Sequence, residues 1–380
     1  MKKSLVALAV MAAAGAASAQ SSVTIYGILD VGYTRNGGSI FSSTGLSNST
    51  NGLGSRLGFK GVEDLGGGLK AGFVLETGIQ NDSGAGQINP STNNIAASSV
   101  PGSLQFGRLS YVNLAGNSGE VRLGRDIVPS YYNDVVYDPF GGLTVAAGLN
   151  TVGSFITVGP TNLRASNMVS YFTPGSLGGF FAQLSYAIGE NASNTGVNKD
   201  DGRYGGIRVG YAAGPLSIAA AAGKTTDTIT ATGQSNDRKQ ANIGGTYDFG
   251  VAKLFANYTR TSQDHFGAVS NGADLVTKGY LLGVTAPVGP GLIRASYSRI
   301  KDTDLDNKVS KKLGIGYQYN LSKRTALFAT VARINNSNGA TLTTAVIPSA
   351  GNLANLGVGA GLNAPNANST GYDIGLRHSF

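Results

Sequence analysis

Arginines at 122, 125 and 164 and acids at 126, 134 and 138 gather in residues 119–171. This stretch opens as an alternating run, with Val121 and Leu123 on one side and Glu120 and Arg122 on the other, and ends that run in Gly124-Arg125-Asp126. It then loses regular pattern, passes through Tyr137-Asp138-Pro139-Phe140-Gly141-Gly142, and resumes in a run ending Val169-Ser170-Tyr171. A connection this long is uncommon in a compact domain and is usually functional or disordered; its arginine flanks and its acids favour function. Fixed cations facing fixed anions across a narrow aqueous opening bias which ions pass. Low-dielectric walls strengthen such a field, and salt weakens it over a Debye length of about 8 Å.

Other chemistry is poorly supplied. There is no cysteine, which excludes disulfides and thiolate-bound metals. His265 and His378 are the only histidines, so no metal site is expected, and neither sits in a motif that pairs a base with a nucleophile. Gly223-Lys224-Thr225 looks like the end of a phosphate-binding loop, but Ile218 stands where that loop needs glycine. Gly357, Gly359 and Gly361 lie in a polar loop without a strand-to-helix context. An enzyme is therefore not expected, and neither is a cofactor.

The elements that position these charges are strands. Residues 1–19 read as a signal peptide: a basic start at Lys2 and Lys3, an apolar core, and Ala17-Ser18-Ala19 as cleavage site, leaving residues 20–380 as one domain. Removing the two lysines changes the net charge from +8 to 27 − 21 = +6. The basic residues are scattered singly, which argues against nucleic acid as a partner. After the signal, period-two alternation recurs: Leu313, Ile315, Tyr317 and Tyr319 oppose Lys312, Gln318 and Asn320, and Tyr372, Ile374, Leu376 and Phe380 oppose Asp373 and Arg377.

Short turns at 65–68, 116–118, 175–179, 213–215, 249–251, 288–291 and 321–324 alternate with long segments at 36–54, 81–104, 133–163, 190–202, 225–237, 263–276, 301–310 and 336–369. These connections join about sixteen strands, an even number that fits an all-β, antiparallel transmembrane barrel. A soluble β-sandwich gives no reason for short and long connections to alternate, nor for polar faces on nearly every strand. In a barrel those faces line a water-filled lumen. Tyr33, Tyr258, Tyr280 and Tyr297, near strand ends, suit interfacial aromatic girdles.

Several motifs in this order resemble the general-diffusion porins of Gram-negative bacteria, most closely their β-proteobacterial branch. They are Val23-Thr24-Ile25-Tyr26-Gly27, Ser55-Arg56-Leu57-Gly58-Phe59-Lys60-Gly61, Glu63-Asp64-Leu65-Gly66, Leu123-Gly124-Arg125, Asp138-Pro139-Phe140-Gly141-Gly142 and Gly375-Leu376-Arg377-His378-Ser379-Phe380. The resemblance implies a homotrimer of barrels in the outer membrane, among its lipid and lipopolysaccharide, each pore narrowed by an inward-folded third long loop. It also implies that Phe380 is the terminal aromatic read by the barrel-assembly machinery.

Parity places Arg56, Arg122, Arg164 and Glu76 on the lumen side, and an arginine on the lipid face would cost roughly 2–4 kcal/mol at mid-membrane. Strict alternation puts Arg125 with Val121 and Leu123 on the lipid side. Either Gly124 permits a bulge that re-aims it, or it lies beyond the regular strand; the resemblance implies an inward arginine. Asp134 and Asp138 are the acids expected on the loop, with Pro139 setting Asp138 one place further from the Phe-Gly-Gly turn. The resemblance implies passive diffusion of small hydrophilic solutes and ions, and four arginines against two loop acids in a chain of net charge +6 point to a mild anion preference. The alternatives are a substrate-selective channel for small organic anions and, further off, a barrel enzyme such as a lipid hydrolase.

Overall fold

The computed structural model describes residues 22–40, 42–47, 54–86, 104–142, 144–149, 161, 163–190, 198–229, 234–264, 274–304, 307–344 and 363–380. The expected signal peptide and His265 lie outside the described residues.

The first half of the wall comprises β1 (Ser22–Gly37), β2 (Ser43–Ser47), β3 (Arg56–Gly66), β4 (Leu69–Gly78), β5 (Leu109–Gly116) and β6 (Gly119–Ile127). The helix α1 (Pro129–Val136) precedes β7 (Arg164–Phe172), β8 (Phe180–Ala187), β9 (Tyr204–Ala213) and β10 (Leu216–Thr225). A short hairpin, β11 (Thr228–Ile229) and β12 (Gln234–Ser235), leads to β13 (Arg238–Asp248), β14 (Lys253–Gln263) and β15 (Leu275–Val288). Then follow β16 (Gly291–Asp302), β17 (Val309–Asn320), β18 (Thr325–Ser337) and β19 (Ser369–Ser379).

The large sheet has seventeen strands; β2 only flanks the upper end of β1, so 17 − 1 = 16 strands form the wall, all antiparallel. The sheet closes where β1 pairs with β19, from Ile28 opposite Ser379 to Gly37 opposite Thr370. Closure satisfies every ladder without leaving an edge, which is what a strand-built membrane span requires. Along β17, Leu313, Ile315 and Tyr317 are exposed on the outside while Lys312, Gly314 and Gln318 are covered on the inside, matching the alternation in the sequence. Aromatic pairs ring both ends: Phe180–Tyr211, Tyr247–Phe249 and Tyr317–Tyr319 by the short turns, Tyr33–Tyr372 and Tyr280–Tyr297 towards the long connections.

Apolar packing inside the barrel comes from the third long connection. Val128 and Tyr131 pack with Ala165, Met168, Ala187 and Tyr204 at its root. Further on, Phe140, Val145 and Ala146 pack on Ala332, and Leu149 on Ile300, Ile334 and Leu342. Leu342 follows β18; the wall residues have inward parity, so the segment lies on the inner wall. It rests there because the wall is small where it passes. Gly283, Ser296, Gly314, Ala332 and Gly371 stand side by side on β15–β19, each opposite the next. A Cβ on Gly283 would stand 2.6 Å from Pro139, and one on Gly314 would stand 2.4 Å from Ala146.

Candidate pore constriction

The helix α1 begins with Pro129 at its first turn, where a missing N–H costs nothing. Its wall-facing residues are polar because the wall it meets is polar. Ser130 bonds with the Tyr204 hydroxyl (3.2 Å), and Asn133 donates to the Ala219 carbonyl (3.2 Å) and to Asn242 (2.9 Å). Arg208 of β9 donates its Nε to Asn133 Oδ1 at 2.8 Å while lying over the rings of Phe181 and Tyr132. At the far end of the segment, Lys312 donates to the Ala147 carbonyl (2.8 Å), and the Val145 N–H donates to Asp373 (3.2 Å).

Neither loop acid faces the arginines in the way the sequence suggests. Asp134, 2% exposed, accepts from Thr259 (2.6 Å) and Asn257 (3.1 Å) on one oxygen and from Gln240 (2.6 Å) on the other. It is turned to the wall of β13 and β14. Asp138 accepts from the backbone N–H groups of Phe140 (2.9 Å) and Gly148 (2.8 Å), stapling two parts of the segment together.

Burial pushes the Asp134 carboxyl up to about 7, against the hydrogen bonds from Thr259, Asn257, Asn242 and Gln240. A carboxyl raised above its ordinary value of about 3.9 stabilises the docked state while protonated. That contribution is full below the ordinary value and is lost as pH rises through about 7. The unfolding temperature of the refolded barrel is therefore expected to fall from about pH 4 to about pH 8, and Asp134→Asn to flatten that slope. Parallel curves for the two proteins would refute the assignment.

The arginines occupy the other side of the ring. Glu76 on β4, 4% exposed, accepts from Arg108 Nε at 2.7 Å and from the Tyr26 hydroxyl at 3.0 Å, with Arg56 Nη1 at 3.8 Å. Arg56, Glu76 and Arg108 thus form one cluster on β3–β5, across the closed strand order from β14. Arg164 joins this group, with Arg108, Tyr131, Arg125 and Glu76 as its electrostatic neighbours. Its buried Nε has no hydrogen-bond partner among the described residues.

Arg122 does not join. It lies inward, but Glu120 (2.8 Å) and Asp126 (2.9 Å) hold its guanidinium between the rings of Tyr111 and Phe172. Arg125 is buried, 7% exposed, and donates to the Gly107 carbonyl (2.7 Å) and to Ser166 (2.9 Å). The register between β6 and β7 shifts at this point, with Gly124 at φ +137° and Asn167 at φ +55°. The irregularity foreseen at Gly124 is present, and it lets Arg125 be covered by protein rather than stand in lipid.

Sequence reasoning missed Arg108, Arg294 and Arg377 as site candidates. Arg377 has Arg56 and Arg294 among its electrostatic neighbours, and Arg294 also has Asp138, Asp30 and Asp373. Inward parity with Asp373 was the available signal for Arg377; Arg108 precedes its strand and offered none. At the chain end, the Gly27 N–H donates to the Phe380 carbonyl (3.1 Å) and the Phe380 N–H to the Gly27 carbonyl (3.0 Å), so Phe380 completes the seam.

Known proteins share this architecture and sequence. The family profile of Gram-negative porins matches residues 5–339. The outer membrane porin protein 32 of Delftia acidovorans is 40% identical over the full length of both chains. An outer membrane porin protein of Bordetella pertussis is 32% identical, covering 87% of this chain and 93% of its own. Among solved structures, an anion-selective porin from Comamonas acidovorans superposes with a TM-score of 0.78 at 34% identity, over 95% of this chain and 100% of that one. A closed sixteen-stranded wall, a polar lumen and agreement with these relatives along the whole chain lead to one assignment: the protein belongs to the Gram-negative porins, water-filled diffusion channels of the outer membrane and not enzymes.

Proposed function

We propose that this porin passes small hydrophilic solutes and ions with a mild preference for anions. In this reading the opening is narrowest between the docked segment 128–149 and the wall that carries Arg56, Arg108 and Arg164. One observation carries it: both oxygens of each loop acid are taken by donors of the wall or of the segment itself, while the arginines lie across the ring. The anion selectivity of the Comamonas relative supports the same sign. Zero-current potentials in a planar bilayer under a potassium chloride gradient test it. An anion sign is expected, and a cation sign would overturn the reading. Conductance that saturates at low concentrations of a small organic anion would favour the substrate-selective alternative.

The fuller reading places three such barrels in a homotrimer, each with its own pore, among outer-membrane lipid and lipopolysaccharide. Residues 1–19 serve as an export signal, and Phe380 serves the barrel-assembly machinery as its terminal aromatic.

A further inference from the structure

Arg208 is a cation of the inner wall that no acid neutralises. It points inward from β9, 9% exposed, beneath the helix α1, which packs on β8–β10 and β13. Its guanidinium carbon lies 4.5 Å from the centre of the Phe181 ring of β8 and 5.1 Å from that of Tyr132 of α1. Its Nε donates to Asn133 Oδ1 at 2.8 Å. Gln183 and Ala221 stand directly opposite it on the flanking strands, and Tyr137 and Tyr132 of α1 are its electrostatic neighbours. None of these is an acid, and no ion pair joins Arg208 to a carboxylate among the described residues. Asp134, the next residue along the helix, is turned away, its two oxygens taken by Gln240, Asn257 and Thr259. A guanidinium keeps its proton in proteins, and a buried charge without an opposite one is costly. The two ring faces offset part of that cost.

The charge is covered, yet close to the water that ions cross. Tyr132 is 41% exposed, and on a helix inside a closed barrel that exposure is to the lumen. One aromatic ring therefore separates the guanidinium from the lumen. Low-dielectric walls focus the field of such a charge into the water beside them. The loop side of the opening thus carries a fixed positive charge, where the spacing of Asp134 and Asp138 suggests a negative one.

We propose that Arg208 is a selectivity-determining residue: it makes the face of α1 cationic, so that the opening is positive on the loop side as well as on the arginine wall. The proposal rests on the reading above for the place of the opening. It is tested by the change between parent and variant, so the sign of the parent's own potential checks that reading separately.

The test is the zero-current potential of the refolded protein in a planar bilayer under a potassium chloride gradient, for R208Q, R208K and N133A. Glutamine keeps a donor for Asn133 but carries no charge. R208Q is expected to lower the anion-to-cation permeability ratio about twofold, the effect of one unit charge on ions passing in water about 8 Å away, one Debye length. R208K is expected to match the parent at about pH 5, where lysine is charged. As pH rises to about 11 and the lysine discharges, its ratio is expected to fall towards that of R208Q, more steeply than the parent's. N133A unties the helix from Arg208 but leaves the charge, and is expected to keep the ratio while lowering the unfolding temperature. An unchanged ratio in R208Q would overturn the proposal. So would a shift equal to that of R208Q in N133A, or in R208K at about pH 5, since either would leave Arg208 as a support of the helix alone. If R208Q does not fold, parallel pH curves for R208K and the parent would overturn it by themselves.

Discussion

Replacing Gly314 by leucine is expected to lower the single-channel conductance and the unfolding temperature together. A Cβ at this position would stand 2.4 Å from the Cβ of Ala146, and the next atoms in its way are the Ala146 backbone. The wall cannot yield, because Gly314 sits between Ser296 and Ala332 in a continuous ladder. The segment must move instead. It is tethered on both sides, by Asn133 and Asp134 on β13 and β14 and by Lys312 and Leu149 on β16–β18, so it can only bow towards the arginine wall. Overpacking of this kind costs about 1–3 kcal/mol. Gly45→Leu is the control, since nothing lies within 4 Å of a Cβ there. Conductance equal to or above that of the parent, in a barrel that still folds, would show that the row of small residues does not hold the segment.

The double replacement R56S/R108S is expected to move the zero-current potential from the anion side towards zero. With Arg164, these arginines and Glu76 form a local set of three positive charges and one negative, a sum of +2; without Arg56 and Arg108 the sum is 0. Glu76 would keep only the Tyr26 hydroxyl among its present donors. Removing one partner of a buried ion pair costs about 3–5 kcal/mol in a dry interior; water in the lumen rehydrates part of that, so the barrel is expected to fold. Glu76→Gln should move the potential further to the anion side, because it leaves both arginines unopposed. A potential that stays put in both variants would remove this cluster from the selectivity mechanism. Arg125→Ser is expected to act mainly on folding, since its guanidinium is spent on Gly107 and Ser166.

The wall was legible because lipid imposes a two-residue period that no other environment enforces so regularly. Runs such as Leu313 to Tyr319 therefore declare both strand and facing, and parity alone sufficed to point Arg56 and Glu76 inward. The helix α1 was not legible for the complementary reason. Its covered residues are Pro129, Ser130, Asn133 and Asp134, so the face it buries carries little hydrophobic signal. Its docking depends on partners such as Asn257 and Thr259, more than a hundred residues away. The loop acids misled for a similar reason. Charge type suggested a place near the opening, but their direction was decided by Gln240 and by the backbone of Phe140 and Gly148, which spacing alone does not reveal.

The bond between the two chain ends has a temporal meaning. Every other ladder in the wall joins strands that follow one another in chain order, with only β2 or the β11–β12 hairpin intervening at two places, and each can form as a local hairpin soon after its connection is made. The β1–β19 ladder joins residues separated by nearly the whole chain, so its loop-closure entropy is met last and all at once. Gly27 and Phe380 then exchange backbone bonds, and the terminal ring lies where a Cβ on residue 27 would stand, 2.3 Å from Phe380 Cζ. A slip of one residue anywhere around the circumference would leave that ring without its gap and turn the final strand inside out. The seam is thus a checksum on assembly: it can be satisfied only when every earlier pairing has been made in the right register.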